Sequence, residues 1–313
     1  MVYIMYKLRD WIDVKKLNKY FLMENPNKFM LYDKYPELID WKSMSYDEKA
    51  IPILLMNIDK IDWNNLQENM NSIKIYELYP EHINWYWLSD NPSAIHVLEK
   101  NIHKLNWRNF SKNNAAMHII TQYPDMIDWG TLCLNTSAVE YLSHNLDRIN
   151  WSILSMNEAA EPLLRHHIDK INWTHLSANK GAINILADYP QNINWFFLSS
   201  NPKAMTIIYM YPNKINWDQL SINTSAIELI KRNLTRINWR LLSMNPAAID
   251  LLEQHKRHIN YTELLTNPAI FEYDYKRMAH HRMSIIEEEL IAAALHPRRI
   301  EYWLNNGVSM DDI

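Results

Sequence analysis

Tryptophan recurs in this sequence at a fixed period, and indole rings held at one period could bind a ligand. Ten tryptophans follow one another at intervals of 22 residues, at positions 41, 63, 85, 107, 129, 151, 173, 195, 217 and 239. Such a column could form a stacking ladder for bases or sugars. We favour the interpretation that the rings fill a core between repeated units, because an exposed apolar ladder of that length promotes aggregation.

A second column, three residues before tryptophan, is basic in many units. Its members are Lys60, Lys104, Arg148, Lys170, Lys214 and Arg236. This stripe could follow a phosphate backbone, as in repeat proteins that read one base per unit. An acidic residue precedes it in several units, for example Asp59 and Asp147, and acid beside base weakens the field at a distance. The net charge is −4, so nucleic-acid binding is the alternative function and not the first choice.

Other reactive side chains fit no metal-binding or catalytic pattern. The histidine pairs His166–His167 and His280–His281 are adjacent, and adjacent side chains on a helix do not face each other. Cys133 stands where eight units have serine, so we interpret it as a small structural residue. Glu161 lies in an apolar column, where a lone buried carboxylate is costly, and we expect Pro162 to turn it toward solvent. We predict no catalytic, cofactor or metal site and no enzyme.

Composition excludes several classes of protein. Only three glycines occur, whereas phosphate-binding loops and dinucleotide fingerprints need clustered glycines. A single cysteine excludes an internal disulfide framework and fits a reducing compartment. No apolar run of signal-peptide type opens the sequence, and none approaches the ~18 apolar residues of a membrane span. We therefore expect a protein that is not secreted, has no transmembrane segment and does not bind membranes.

The elements that carry these columns are predicted to be short helices. With tryptophan as position 0, position −1 is Asn or Asp, position 3 is mostly Leu and position 6 is almost always Asn. Asn and Asp begin helices by accepting a hydrogen bond from an unpaired N–H, and Pro often follows position 6. Apolar residues at positions 9, 10, 12 and 13 share one helical face. Each unit thus contains a short helix and a longer one, which ends at Tyr-Pro or at an Asn in a left-handed cap.

Helices of this length cannot fold alone, so stacked units must bury one another's apolar stripes. We predict an all-α fold, an α-solenoid of twelve two-helix units that forms a curved rod roughly 100 Å along its contour. Residues 1–18 are an N-terminal cap, 19–282 the repeat array and 283–313 a C-terminal helical cap. Lys19 and Tyr261 replace tryptophan in the terminal units, and we interpret both as capping.

The repeated phrase IDWxxLSxNPxAI resembles a known family when it is taken with NPAIFEYDY and HPRRIEYWLNNG near the end of the chain. It is similar to the Trp-repeat proteins of giant DNA viruses that infect amoebae and algae, over about residues 17 to 307. The resemblance brings no activity and no catalytic residues with it. It implies a viral origin, a place in the virion or the host cytoplasm, and interactions made through the repeats.

We therefore predict a scaffold that binds an unknown protein partner, viral or host, as a monomer or small oligomer without a cofactor. Position 1 is mostly polar, which indicates a column that faces solvent, but Tyr20, Tyr86 and Phe196 break this rule. Trp87 and Phe197 follow two of them. Exposed aromatic side chains are favoured anchors at interfaces. Tyr86, Trp87, Phe196 and Phe197 are the predicted contact points; the alternative is that they pack on a neighbouring unit.

Overall fold

A computed structural model describes residues 6–12, 25, 27–28, 39–307 and 309. Over this part the chain is mostly helical, and its many short helices pack on their neighbours along the sequence. The all-α class is confirmed at this level, with one small two-stranded sheet in addition. Units are numbered here from 1 to 12, starting at residue 19 and at every 22nd residue after it. Lys19 and Tyr20 lie outside the described residues.

In units 2 to 12 the first helix, which we call the Trp helix, begins at position 0. The cap predicted at position −1 is confirmed: the carboxylate of Asp62 accepts from the N–H of Asn65 at 3.0 Å. The Trp helices are Trp41–Tyr46, Trp63–Leu66, Trp85–Leu88, Trp107–Ser111, Trp129–Leu132, Trp151–Leu154, Trp173–Ala178, Trp195–Ser200, Trp217–Ile222, Trp239–Leu242 and Tyr261–Leu264.

In units 2 to 11 a second helix begins later than position 6, after a short turn. Asn91 accepts from the N–H of Ser93 at 2.9 Å and starts a 3-10 turn, Pro92–Ala94, that leads into Ile95–Leu98. The second helices are Ile51–Leu55, Ile73–Leu78, Ile95–Leu98, Met117–Ile120, Val139–Ser143, Glu161–Arg165, Ile183–Asp188, Met205–Met210, Ile227–Lys231 and Ile249–Gln254.

The left-handed cap predicted at the end of the second helix is wrong. Asn57 has φ −138° and ψ 54°, and among the described residues only Gly307 has a positive φ. The amide of Asn57 instead donates to the carbonyl of Ile53 at 2.9 Å. A side-chain donor therefore satisfies the helix end without a strained backbone.

A 3-10 turn returns the chain from most second helices to the next Trp helix. These turns are Ile58–Lys60, Pro80–His82, Glu99–Lys104, Pro124–Met126, Leu146–Arg148, Ile168–Lys170, Pro190–Asn192, Pro212–Lys214 and Lys256–His258. The basic column lies at the end of this turn, directly before the buried Ile or Leu at position 20.

The core is built from the same positions in every unit. Leu176 at position 3, Ala182 at position 9 and Leu186 at position 13 are fully buried, and their counterparts in other units are equally inaccessible. The Leu column is thus confirmed as core. Tryptophan differs from this expectation, because all ten rings are only partly buried and pack against the edge of the core.

A hydrogen-bond network joins each unit to the one before it, and we call this contact a joint. The amide of Asn179 donates to the carbonyls of Ser155 and Asn157, both at 3.0 Å, while its Oδ1 accepts from the N–H of Gly181. Position 6 is therefore a cap and a link between units at once. The paired donation recurs at Asn69, Asn135, Asn157, Asn201, Asn223, Asn245 and Asn267.

Serine at position 4 supplies a second link at the eight described units that have it. The Ser155 hydroxyl donates to the carbonyl of Trp151 at 2.8 Å and accepts from the N–H of Asn172 at 3.0 Å. Cys133 takes this place in unit 6, where its sulfur lies 3.2 Å from the carbonyl of Trp129. Burial raises the pKa of the Cys133 thiol, which fits the structural role expected of it.

The two ends of the array lie together. Asn25, at position 6 of unit 1, donates to the carbonyls of Leu265 and Asn267 in unit 12, both at 2.8 Å. Strand β1, Tyr6–Leu8, pairs antiparallel with strand β2, Phe271–Tyr273. The predicted curved rod is therefore not open at this point, because unit 12 meets unit 1 through the contact that joins consecutive units.

Two helices follow β2. The long helix, Tyr275–Ala294, begins at the cap Asp274, whose carboxylate accepts from the N–H of Arg277. The terminal helix, Pro297–Asn305, begins three residues after the end of the long helix. The long helix runs without a break through the boundary predicted between residues 282 and 283.

Candidate partner-binding face

The Trp helices of successive units pack on one another and expose one common surface, which we call the inner face. Successive Trp helices, for example those of units 8 to 11, pack directly on one another, whereas successive second helices meet less closely. Elements that are closer together occupy the inside of a curve, and the curvature of a repeat array creates an extended concave surface. Residues that the Trp helices expose therefore lie on this inner face.

Position 1 of the Trp helix is exposed in most units, including both predicted aromatic sites. Tyr86 and Phe196 are each 47% exposed. The ring of Tyr86 meets that of Trp87 edge-on at 5.3 Å, and Phe196 meets Phe197 in the same way at 5.2 Å. Each aromatic pair is thus a compact unit on the inner face, held at the start of its helix by the cap at position −1.

Phe197 lines a cleft of about 420 Å³ that spans three units. Thr174 and His175 of unit 8 and Met156 of unit 7 line it as well. His175 is held in place because its Nδ1 lies 2.8 Å from the carbonyl of Ser152. The cleft thus combines an aromatic ring, a thioether and polar groups, which suits an apolar anchor with a polar rim.

Trp87 lines a smaller cleft of about 180 Å³ built in the same way. Gln67 of unit 3 and Tyr46 of unit 2 complete it, so both clefts join position 2 of one unit to position 5 of the unit two before it. Burial raises the pKa of Asp90 beside this cleft, while the paired ammonium of Lys112 opposes the shift. The second cleft is therefore smaller, and a carboxylate lines each of the two clefts, Asp90 here and Glu158 in the first.

The predicted residues fall into two separate places on one face. The structure brings Tyr86 to Trp87 and Phe196 to Phe197, but each cleft contains only the position 2 member of its pair. Sequence reasoning missed position 5, where Tyr46 and Met156 are at least half exposed. Their signal was visible, since large apolar residues stand at a position one helical turn from position 1 and off the buried stripe.

The basic column packs on tryptophan and not along an open stripe. Lys104 Nζ lies 4.8 Å from the centre of the Trp85 ring, and the guanidinium of Arg236 lies 4.3 Å from that of Trp217. A cation over an indole face is attracted by the ring electrons. Equivalent pairs join Lys170 to Trp151 and Arg148 to Trp129.

Rings at position 16 cover more of the tryptophan column. The centroid of Tyr189 lies 5.6 Å from that of Trp173, and Tyr211 lies 5.5 Å from Trp195. Acidic neighbours also pair with the basic column, as in Asp59 with Lys60 at 3.2 Å. The indoles therefore pack at the edge of the core, where side chains of their own units cover them. They do not form an open stacking ladder.

Glu161 is partly buried and paired. Its carboxylate bonds Arg165 at 3.0 Å and accepts from the amide of Asn184 in the next unit. Asp188 first, and then Glu161, raise the pKa of the Arg165 guanidinium. The carboxylate therefore links two second helices on the outer side of the array, away from both clefts.

Two features are absent from the part of the chain that the structure describes. No group of three or more His, Cys, Asp and Glu side chains there is placed to hold a metal ion. None of the helices in this part of the chain combines the length and apolar character needed to cross a membrane.

Comparison with protein families, curated proteins and solved structures gives no match for this chain.

Proposed function

We propose that this chain is a non-enzymatic scaffold that binds a protein partner on the inner face of a closed α-solenoid of twelve units. Closure is supported by Asn25, which repeats on unit 12 the paired donation that most interior joints use. The described residues of unit 1 also reach unit 2, since Lys28 pairs with Asp47 at 3.5 Å. One unit thus bridges the first and last parts of the array.

The observation that carries the binding proposal is the pair of equivalent clefts beside exposed aromatic rings. Aromatic anchors in shallow apolar clefts with polar rims are the usual centres of protein interfaces. The two clefts are five units apart, so a partner that engages both must span the inner face. The family resemblance would place such a partner in a giant virus or its host.

Nucleic-acid binding receives less support from the same surface. The basic side chains that would follow a phosphate backbone stack on tryptophan and pair with acids. Where these contacts form, the indole face and the cation already engage each other, which competes with bases and phosphates.

The test compares two double variants in affinity capture followed by mass spectrometry. Tyr86→Ser with Phe196→Ser removes the exposed rings of the inner face, and Leu78→Ser with Tyr209→Ser removes equally exposed apolar side chains from second helices. We expect both variants to fold as wild type does by circular dichroism. Only the first should lose the proteins that the wild-type chain recovers from infected-cell extract.

Recovery of the same proteins by the inner-face variant would overturn the proposal. Loss of the recovered proteins after nuclease treatment of the extract would favour the nucleic-acid alternative, because binding would then depend on an intact nucleic acid.

A further inference from the structure

The long helix, Tyr275–Ala294, carries apolar side chains that no other described residue covers. It spans about 30 Å at the usual rise per residue. Met283 and Leu290 are 60% and 64% exposed, and nearly all of its described side chains are open to solvent. An isolated helix of this length is marginal in water, so a packing partner would stabilise it.

Five apolar residues of this helix follow a coiled-coil spacing, while Ile285 and Ile291 lie outside it. Ala279, Met283, Ile286, Leu290 and Ala293 are separated by alternating steps of four and three residues. These steps place all five on one narrow stripe, which is the a and d seam of a helix that pairs with another helix.

Charge divides the same helix into two halves. Lys276, Arg277 and Arg282 lie in the first half, and Glu287, Glu288 and Glu289 lie in the second. A parallel pair would set the basic half of one helix beside the basic half of the other, and the acidic halves beside each other, with opposite charges meeting only where the halves join, at Arg282 and Glu287. An antiparallel pair sets each basic half against an acidic half, and flanking charges of this kind determine the orientation of a coiled coil.

We propose that the long helix joins two copies of this chain as an antiparallel helical pair. The stripe is centred on Ile286, so the helices cross there. Arg282 and Glu289 are seven residues apart on the same side of the stripe, which brings Arg282 of each copy beside Glu289 of the partner subunit. The two repeat arrays then leave the pair at opposite ends and do not collide.

The pairing has a consequence for binding. Each assembly carries two inner faces at a fixed separation, so a partner with repeated sites gains from simultaneous engagement. The pairing itself rests only on the long helix and stands whether or not the inner face binds a protein.

Sedimentation equilibrium of the full chain is the first test. Wild type should sediment as a species of twice 37.5 kDa. The double variant Ile286→Glu with Leu290→Glu should sediment as a monomer. Its far-ultraviolet circular dichroism spectrum should still show the helices of the repeat array. The control is Ile285→Glu, which charges an exposed apolar residue outside the stripe and should leave the dimer intact. A wild-type chain that stays monomeric at micromolar concentration overturns the proposal, as does a dimer that survives the double substitution.

A charge exchange tests the orientation. Arg282→Glu alone and Glu289→Arg alone should each weaken the dimer by about tenfold, because two symmetric attractions become repulsions. Combining the two should restore wild-type affinity in an antiparallel pair. Failure of the combination points to a parallel pair, in which Arg282 would meet Glu287 of the partner subunit, and contradicts the proposed arrangement.

Discussion

An interior joint and the joint between units 12 and 1 use the same asparagine but differ in what surrounds it. Between units 8 and 9, Asn201 donates to the carbonyls of Ser177 and Asn179, and the Ser177 hydroxyl accepts from the N–H of Asn194. Between units 12 and 1, Asn25 makes the paired donation, but Leu265 stands at position 4 and has no hydroxyl. Leu265 therefore cannot accept the backbone hydrogen bond that the serine hydroxyl accepts at an interior joint.

At the joint between units 12 and 1, contacts that occur only once among the described residues replace the serine hydrogen bond. Strands β1 and β2 pair through Lys7 and Glu272, and the Arg9 guanidinium donates to the carbonyl of Ala269 at 2.9 Å. The joint between units 1 and 2 is also unusual, since Lys28 replaces the buried Ala of position 9 and Asp47 the Asn of position 6. The periodic network is nearly the same at most interior joints, so it does not distinguish one pair of units from another. Residues that occur once in the chain determine that unit 12 contacts unit 1.

The largest expected effect is at an interior joint. Asn179→Ala removes an amide that is only 4% exposed and leaves the carbonyl of Ser155 and the N–H of Gly181 unpaired, while the carbonyl of Asn157 keeps the N–H of Ala160. We expect a loss of about 3–5 kcal/mol in the free energy of unfolding, because each buried group left unpaired costs about 1–3 kcal/mol. Chemical denaturation measures it.

The matched control for this change is Asn192→Ala, on an exposed return turn. It should alter stability by less than about 0.5 kcal/mol. A loss of only about 1 kcal/mol at Asn179, the usual effect of a helix cap, would mean that its links to unit 7 contribute nothing.

At the unusual joint, the paired residues should depend on each other. Lys28 is 5% exposed, and burial lowers the pKa of its ammonium although Asp47 opposes the shift. Lys28→Ala leaves the Asp47 carboxylate without this partner and should cost about 2–3 kcal/mol, somewhat below a fully buried pair.

Adding Asp47→Asn restores the residues that interior joints use. The double variant should return to within about 1 kcal/mol of wild type or exceed it, since apolar or neutral replacements of buried ion pairs are often tolerated. Additive losses in the double-mutant cycle would show that the two residues are not coupled.

Trp173→Ala should cost less than the change at the joint. The ring is partly exposed and packs on Tyr189, so we expect a loss of about 2 kcal/mol, below the about 3 kcal/mol of the fully buried control Leu176→Ala. Equal losses at the two positions in denaturation curves would contradict the edge position of the indole.

The smallest expected effect concerns a hydroxyl. Tyr76 stands in the buried column of position 13, its hydroxyl has no hydrogen-bond partner within the described residues, and burial raises its pKa to about 12. The folded state therefore holds this proton between pH ~10 and ~12, where the unfolded state releases it. Stability is lost as pH rises through that window.

Tyr76→Phe should remove this part of the pH dependence and leave stability at pH 7 unchanged or up to about 1 kcal/mol higher. Denaturation curves at pH 8 and 11 provide the test. An unchanged slope between these pH values would mean that Tyr76 is ionised as easily in the folded chain as in the unfolded one.

The elements and the periodic part of the core were predictable, and the contacts between units were not. The caps at Asp62 and Asn91 follow from local hydrogen bonding, and the Leu column follows from helical spacing. The 22-residue period indicates that the units have the same structure. It does not determine the rotation that relates one unit to the next. The meeting of Asn25 with Leu265, which are 240 residues apart, could therefore not be foreseen.

The candidate site was predictable only in part, for a similar reason. Tyr86 and Phe196 stood out because they break a polar column. Their clefts also need Tyr46 and Met156, which come from units two places earlier. The curvature of the array determines which residues of different units face each other. This curvature cannot be predicted from the helical period within one unit.

The pairing of β1 with β2 offers the most direct test of closure. In a Cys133→Ser background, Lys7→Cys and Glu272→Cys place two thiols at partner positions of the antiparallel pair, where Cα atoms about 4.5–5.5 Å apart suit a disulfide. In dilute oxidised protein we predict an intramolecular disulfide, identified by peptide mass spectrometry. The control pair, Lys7→Cys with Thr136→Cys in unit 6, should stay reduced. Failure of the first pair to link within one chain, or equal linking of both pairs, would contradict the closed array.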